Sequence, residues 1–179
     1  MQSIIDAAKQ AAATAASAVG LENSPSHVES NPSHVEDDHK ETLPANATAS
    51  ETKTVDSEAL EVFEHESVRH QVLVKLRKLA LEDEKHGLRE VAALDLLDED
   101  GYLKRGISYY HPKRFFTVTR PNGVDYIGEI EIEQGKSIHV RAHKAGPGNA
   151  PTFHSIDTRP SNEGGAVFKT GEPLAWFDY

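Results

Sequence analysis

RFFTVTRPNGVDYIGEIEIEQGKSIHVRAH, residues 114–143, decides the fold. Most of its apolar residues recur at every second position, the period of a strand with one face turned to a core. Two turn signals punctuate it, Pro-Asn-Gly at 121–123 and Glu-Gln-Gly at 133–135. Each suits a three-residue hairpin loop, with glycine at the position that needs a positive φ. Register then follows. Arg120 faces Val124, Val118 faces Tyr126 and Phe116 faces Gly128. Across the second turn Ile132 faces Lys136, Ile130 faces Ile138, Gly128 faces Val140 and Tyr126 faces Ala142. A two-residue loop at Gln134-Gly135 would oppose Glu131 with Ile138 and mix the faces, since a slip of one residue inverts every side chain. The stretch therefore predicts a three-stranded antiparallel meander with one apolar face, and Gly128 lying between Phe116 and Val140.

The opposite face carries Phe115, Thr117, Thr119, Asp125, Ile127, Glu129, Glu131, His139, Arg141 and His143. His139 and His143 are four residues apart, about 13 Å in a strand, too far to share one metal ion. No metal and no cofactor is expected. Three uses of this face remain open. It is a solvated surface on which Glu129 and His139 form an ordinary cross-strand pair worth a few tenths of a kcal/mol, roughly. Alternatively, His139, Arg141 and His143, with Trp176 as an aromatic contact, bind an anionic group or an acidic partner. In the third use the face is a metal-independent acid–base site for phosphodiester hydrolysis. Glu129 would be the base, one of His139, His143 or His154 the acid, and Arg141 the stabiliser of phosphate charge.

Outward from the meander, Val62, Val68, Val72, Leu73, Leu76 and Leu79 follow a helical period over some six turns from near Ser57, with Asp56 or Ser57 available as a cap. Gly87 interrupts, and Leu88, Val91, Leu94 and Leu97 predict a second, shorter helix over 88–97. The Asp-Glu-Asp-Gly at 98–101 is not a calcium loop: aligning Gly101 with the loop glycine puts Leu96 and Ile107 at the first and twelfth ligand positions, where acids are needed. On the C-terminal side, Gly- and Pro-rich stretches at 145–153 and 159–165 alternate with short strand candidates at 152–157, 166–170 and 174–179. Trp176, the only tryptophan, is expected to close the core.

The chain is 179 residues long, with a formal net charge of −10 and no cysteine, so disulfide and thiolate chemistry are excluded. Between Leu21 and Glu58 nine acidic residues stand against Lys40 and Lys53, so most of the acidity lies there. Residues 21–56 are polar, contain Pro-Ser-His-Val-Glu twice, and predict a disordered acidic linker. Residues 1–20 are alanine-rich and amphipathic, a helix suited to reversible attachment to a membrane surface or another protein. Eight Lys/Arg against five Asp/Glu between Arg105 and Arg159 fall well short of the basic stripe of a nucleic-acid binder. No apolar run approaches the length of a membrane span, and residues 1–20 lack the basic start of a secretory signal.

Together these features predict an α+β domain over 57–179: two helices, then a mainly antiparallel sheet of the meander plus short C-terminal strands. The expected function is that of a cytoplasmic, non-enzymatic binding or scaffold protein with a protein partner, possessing a peripheral membrane contact through residues 1–20. The alternative is the small phosphodiester hydrolase.

Overall fold

The computed structural model describes residues 42–82, 86–88, 109–159 and 165–178. The Ala-rich helix expected over 1–20, the duplicated Pro-Ser-His-Val-Glu and the helix expected over 88–97 lie outside the described residues, save Leu88. What is described is an α+β unit: two helices packed on one face of an antiparallel sheet.

The meander consists of β3 (His111–Arg120), β4 (Gly123–Glu133) and β5 (Lys136–Lys144). Between β4 and β5 the expected pairs hold: Ile130 with Ile138, Gly128 with Val140, Tyr126 with Ala142 and Glu129 with His139. The turn reaches that register by a different route. Glu133 pairs with Lys136, making the loop the two residues Gln134-Gly135, and an irregularity at Ile132 restores the alternation. One extra residue on one strand is a β-bulge, and it does here what a longer loop was expected to do.

Between β3 and β4 the expected register is wrong by one. Arg120 pairs with Gly123, Thr117 with Tyr126, Phe116 with Ile127 and Phe115 with Gly128. Phe115 therefore stacks on Tyr126, ring centroids 6.2 Å apart, while Phe116 and Val118 go to the other side of the sheet with Ile127. The two adjacent phenylalanines fit either parity, and both faces of the sheet are buried, so neither arrangement leaves one in water.

The helical pattern that starts near Ser57 is broken at His65 into α1 (Ser57–Glu64) and α2 (Glu66–Glu82). Asp56 caps α1 by accepting from the Ala59 amide, 2.9 Å, as such side chains do. At the break His65 is extended (φ −58°, ψ 134°). Its Nδ1 accepts from the Ser67 amide at 3.3 Å, which makes His65 the cap of α2. Tyr110 Oη donates to the Phe63 carbonyl, 2.8 Å, satisfying an acceptor that the end of α1 leaves open. Val62, Phe63, Val68, Val72, Leu73, Leu76 and Leu79 pack with Phe115, Tyr126, Ile130, Ile138 and Val140 into the main core. Gly128 is the point of closest approach: a Cβ there would lie 2.3 Å from Phe63 Cζ. Phe63 of α1, rather than Phe116, is what covers it.

Both edges of the meander are doubled. β1 (Thr48–Ala49) and β2 (Lys53–Thr54) share the outer edge of β3, and β6 (Thr152–Ile156) and β7 (Phe168–Lys169) share that of β5. Residues 42–56 are therefore not the disordered linker that composition predicts. Ser50 ties the two short strands to β3: its amide donates to the Thr117 carbonyl at 2.8 Å, and its hydroxyl accepts from the Thr117 amide at 2.9 Å. Residues 174–178, expected as a strand, form no ladder. They cross the second face of the sheet, where Trp176 and Phe177 pack with Phe116, Val118 and Ile127.

Candidate functional site

The polar face is not solvated. Residues 168–178, with Ala47 beside them, cover it, and Asp125, Glu129, His139, Arg141 and Asp157 are all at most 1% exposed. A buried charge is tolerated only when paired and hydrogen-bonded, and each carboxylate here has its cation. Glu129 Oε1 accepts from Arg114 Nε at 3.1 Å; its Oε2 accepts from Arg114 Nη2 at 2.7 Å and from the Gly171 amide at 2.8 Å. That pairing holds the Arg114 guanidinium above its ordinary pKa. Arg114 also donates to the Glu172 carbonyl, so the pair fastens the cover to β3 and β4. Glu131 accepts from Tyr109 Oη at 2.7 Å and from the Gly135 amide at 3.3 Å. Burial alone would raise its pKa; these bonds, with those from Thr170 and Lys113, outweigh burial and lower it.

Arg141, His143, His154 and Trp176 do come together, around two aspartates. Asp125, near the start of β4, is bonded to His143 Nδ1 at 2.9 Å and Arg141 Nη2 at 3.4 Å, and is ion-paired with Arg120, whose Nε lies 2.7 Å from Oδ2. Arg141 Nη1 donates to the Phe177 carbonyl at 2.9 Å and to Asp178 Oδ1 at 2.6 Å. Its guanidinium lies 4.0 Å from the centre of the Trp176 ring. His154 enters from β6, Nε2 3.6 Å from Asp178 Oδ1 and Nδ1 2.8 Å from Ser155 Oγ. The Arg141 hydrogen bond holds Asp178 below the usual carboxylate range. Burial first, and then the Arg141 charge, lower His154.

Glu129 does not join this cluster. Nor does it bond to His139, its cross-strand partner. The His139 ring stacks on Phe168, 4.0 Å between centroids, with Nδ1 3.9 Å from Asp157 Oδ2. Neither of its nitrogens has a hydrogen-bond partner among the described residues. Asp157 is itself taken by the Arg159 backbone amide and guanidinium. So Glu129, Arg141 and a histidine do not converge on an open surface, and Arg141 has no face free for a phosphate. Among the described residues no three of His, Cys, Asp and Glu gather as a metal ion requires. No helix among them is long and apolar enough to cross a membrane.

An open concavity lies on the other face, at the Val124–Lys144 end of the sheet beside the first turn of α1. It is a recess of about 330 Å³, floored by Val124 and Tyr126, with Glu58 on one wall and Lys144, Gly146, Pro147 and Gly148 around the other. Tyr126 Oη donates to Glu58 Oε1 at 2.7 Å. Burial, then that carboxylate, push the Tyr126 hydroxyl well up, so it stays a donor. The second oxygen of Glu58 and the Lys144 ammonium have no partner among the described residues.

Comparison with known proteins adds no family. No family model matches the chain, and no curated protein matches it in sequence. Function rests on the geometry.

Sequence reasoning gathered four members of the Arg141 cluster and missed Asp125, Arg120 and Asp178 as their partners. Asp125 was within reach, because the β4–β5 register that places Glu129 opposite His139 also places it opposite His143. The recess gave no signal of its own, since Glu58 and Lys144 are 86 residues apart in sequence.

Proposed function

We propose that this chain is a non-enzymatic binding protein whose α+β domain recognises a protein partner at the recess between the first turn of α1 and the 144–148 loop. One observation carries the reading. The groups with chemical potential on the sheet are buried and engaged, Glu129 and Arg141 by bonds to the cover, Asp125 by the cations around it and His139 by stacking on Phe168, whereas the recess is open, largely apolar and lined by no Ser, Thr, Cys or His. Concave, mainly apolar surfaces with a few convergent polar groups are where ligands bind. Residues 1–20 would add reversible attachment to a membrane surface or a second protein, keeping the module at a cytoplasmic face.

The test is site-specific photo-crosslinking. A benzoylphenylalanine at Pro147 should trap a discrete adduct that Val124→Arg abolishes, while the same probe at Gln71, on the outer side of α2, should not. Equal trapping from both positions removes the recess from the reading. Liposome and partner binding unchanged by deletion of residues 1–20 removes the attachment.

A further inference from the structure

The recess presents three chemical features together, and they select a ligand. Its floor is apolar, the Val124 side chain and the Tyr126 ring, with Pro147 facing them. One wall carries an ammonium, Lys144, without an ion-pair partner among the described residues. The opposite wall carries Glu58, whose Oε1 is occupied by Tyr126 Oη and whose Oε2 is open to a donor. Next to it Lys53 and Asp56 neutralise each other: Lys53 Nζ is 2.7 Å from Asp56 Oδ2, and Asp56 caps α1. Glu58, on the opposite wall, makes no ion pair with Lys144, so an incoming anion would give that ammonium a charge-assisted partner. At about 330 Å³ the space is at the small end of ligand sites, enough for one side chain and its head group and too small for a large cofactor.

We infer that the recess takes the C-terminal residue of a partner polypeptide, with an apolar side chain on Val124, Tyr126 and Pro147, its carboxylate at Lys144 and its amide N–H at Glu58. This rests on the binding reading above and names the partner's chemistry. A C-terminal residue is the unit of a protein that supplies an anion, a donor and an apolar group within one residue, and capture of terminal carboxylates is a recurring recognition mode. A free apolar acid matches the floor and Lys144 but brings nothing to Glu58. An internal segment matches the floor and Glu58 but leaves Lys144 unpaired. Charge-assisted bonds are the strong ones, so the carboxylate should dominate selectivity.

The experiment titrates the ¹⁵N-labelled full chain with acetyl-Gly-Ser-Gly-Phe bearing a free carboxylate, following amide shifts. Comparison ligands are the same peptide as the C-terminal amide, one N-methylated at Phe, one ending in glycine, and 3-phenylpropanoate. The expected result is shifts confined to residues around Val124, Tyr126, Lys144 and Gly146–Gly148, with the free acid bound about tenfold more tightly than the amide. N-methylation and the glycine ending should each weaken binding, and Lys144→Met should reduce the acid-to-amide ratio to about twofold or less. If that variant does not fold, the wild-type chain still reports: acid binding should weaken with added salt and amide binding should not. Equal affinity for acid and amide overturns the inference, and so does 3-phenylpropanoate binding as tightly as the peptide. Absence of recess shifts with all five ligands overturns it too. The binding reading itself is then judged separately, by crosslinking from Pro147, which needs no terminal carboxylate.

Discussion

Gly128 shows how far one missing side chain reaches. Phe63 occupies the place where a Cβ would stand, 2.3 Å from Cζ and 2.6 Å from Cε2, so α1 sits as close to the sheet as backbone allows. Overpacking of this kind costs about 1–3 kcal/mol. Gly128→Ala should lower stability by that amount in urea denaturation, and Phe63→Leu should cost less in the Gly128→Ala background than in the wild type. Additive effects in that double-mutant cycle would show that the two residues do not compete for space. At the far side of the sheet the relevant residues titrate. Asp178 is held below its ordinary pKa chiefly by Arg141, and His154 below its own chiefly by burial. A group whose folded pKa is depressed stabilises fully above its unfolded value and loses that contribution as pH falls. His154 therefore withdraws support as pH drops below about 6.5, and Asp178 as pH drops below about 3.9. Trp176, on Arg141, reports both through its fluorescence. Its acid titration should lose the upper limb in His154→Gln and the lower limb in Asp178→Asn; superimposable curves for all three proteins would sink this assignment.

At the scale of elements, the two hairpin glycines separate strain from collision. Gly135 has φ +82° and nothing within 4 Å of a built Cβ, whereas Gly123 has φ +134° and a Cβ there would lie 2.4 Å from the Lys144 carbonyl oxygen. Gly135→Ala should cost about 1–2 kcal/mol, the penalty of a left-handed residue with a side chain. Gly123→Ala should cost clearly more, because the Lys144–Ala145 backbone must move as well. Equal losses in thermal unfolding would mean that the β4–β5 end is softer than its geometry implies. These turns also mark where the sequence was legible. The β4–β5 register could be read because Tyr126, Gly128, Ile130, Ile138, Val140 and Ala142 give both strands one unambiguous apolar side. The β3 register could not, because Phe115 and Phe116 satisfy either parity once both faces are covered. The break at His65 carries neither glycine nor proline. It is stabilised by Ser67 Oγ donating to the Pro151 carbonyl and by Tyr110 on the Phe63 carbonyl, contacts from 84 and 47 residues away. The polar stripe read as a wet face for the same reason: its cover arrives from residues 168–178 and from Ala47, about which a strand's own alternation says nothing.

For the whole molecule, the two covers of the sheet differ in kind. The helical side is a large apolar core in which Val62, Phe63, Val72, Leu73 and Leu76 lock onto the meander. The C-terminal cover contributes Phe168, Leu174, Trp176 and Phe177 to the second face, is preceded by Ala166 and Val167 in the main core, and otherwise holds by polar bonds: Gly171 to Glu129, Glu172 to Arg114, Thr170 to Ser137 and Gly135, and Phe177 and Asp178 to Arg141. Apolar burial contributes about 25 cal/mol per Å², while a buried ion pair gains little net free energy because its desolvation offsets most of the attraction. The cover is therefore the less stable unit and should open before the core unfolds. In urea, Trp176 fluorescence should change at a lower concentration than the far-UV circular dichroism of the helices, and the two transitions should not superimpose. Amide exchange should agree, with Thr170 and Gly171 released by the early opening and Ile130, Ile138 and Val140 only at global unfolding. Arg141→Leu separates the alternatives. If Arg141 mainly fastens the cover, the variant widens the gap between the two transitions; if its buried charge mainly costs desolvation, the gap narrows. Coincident transitions in the wild-type chain would show that both faces of the sheet fold as one cooperative unit, with the polar network as much a part of the core as the helices.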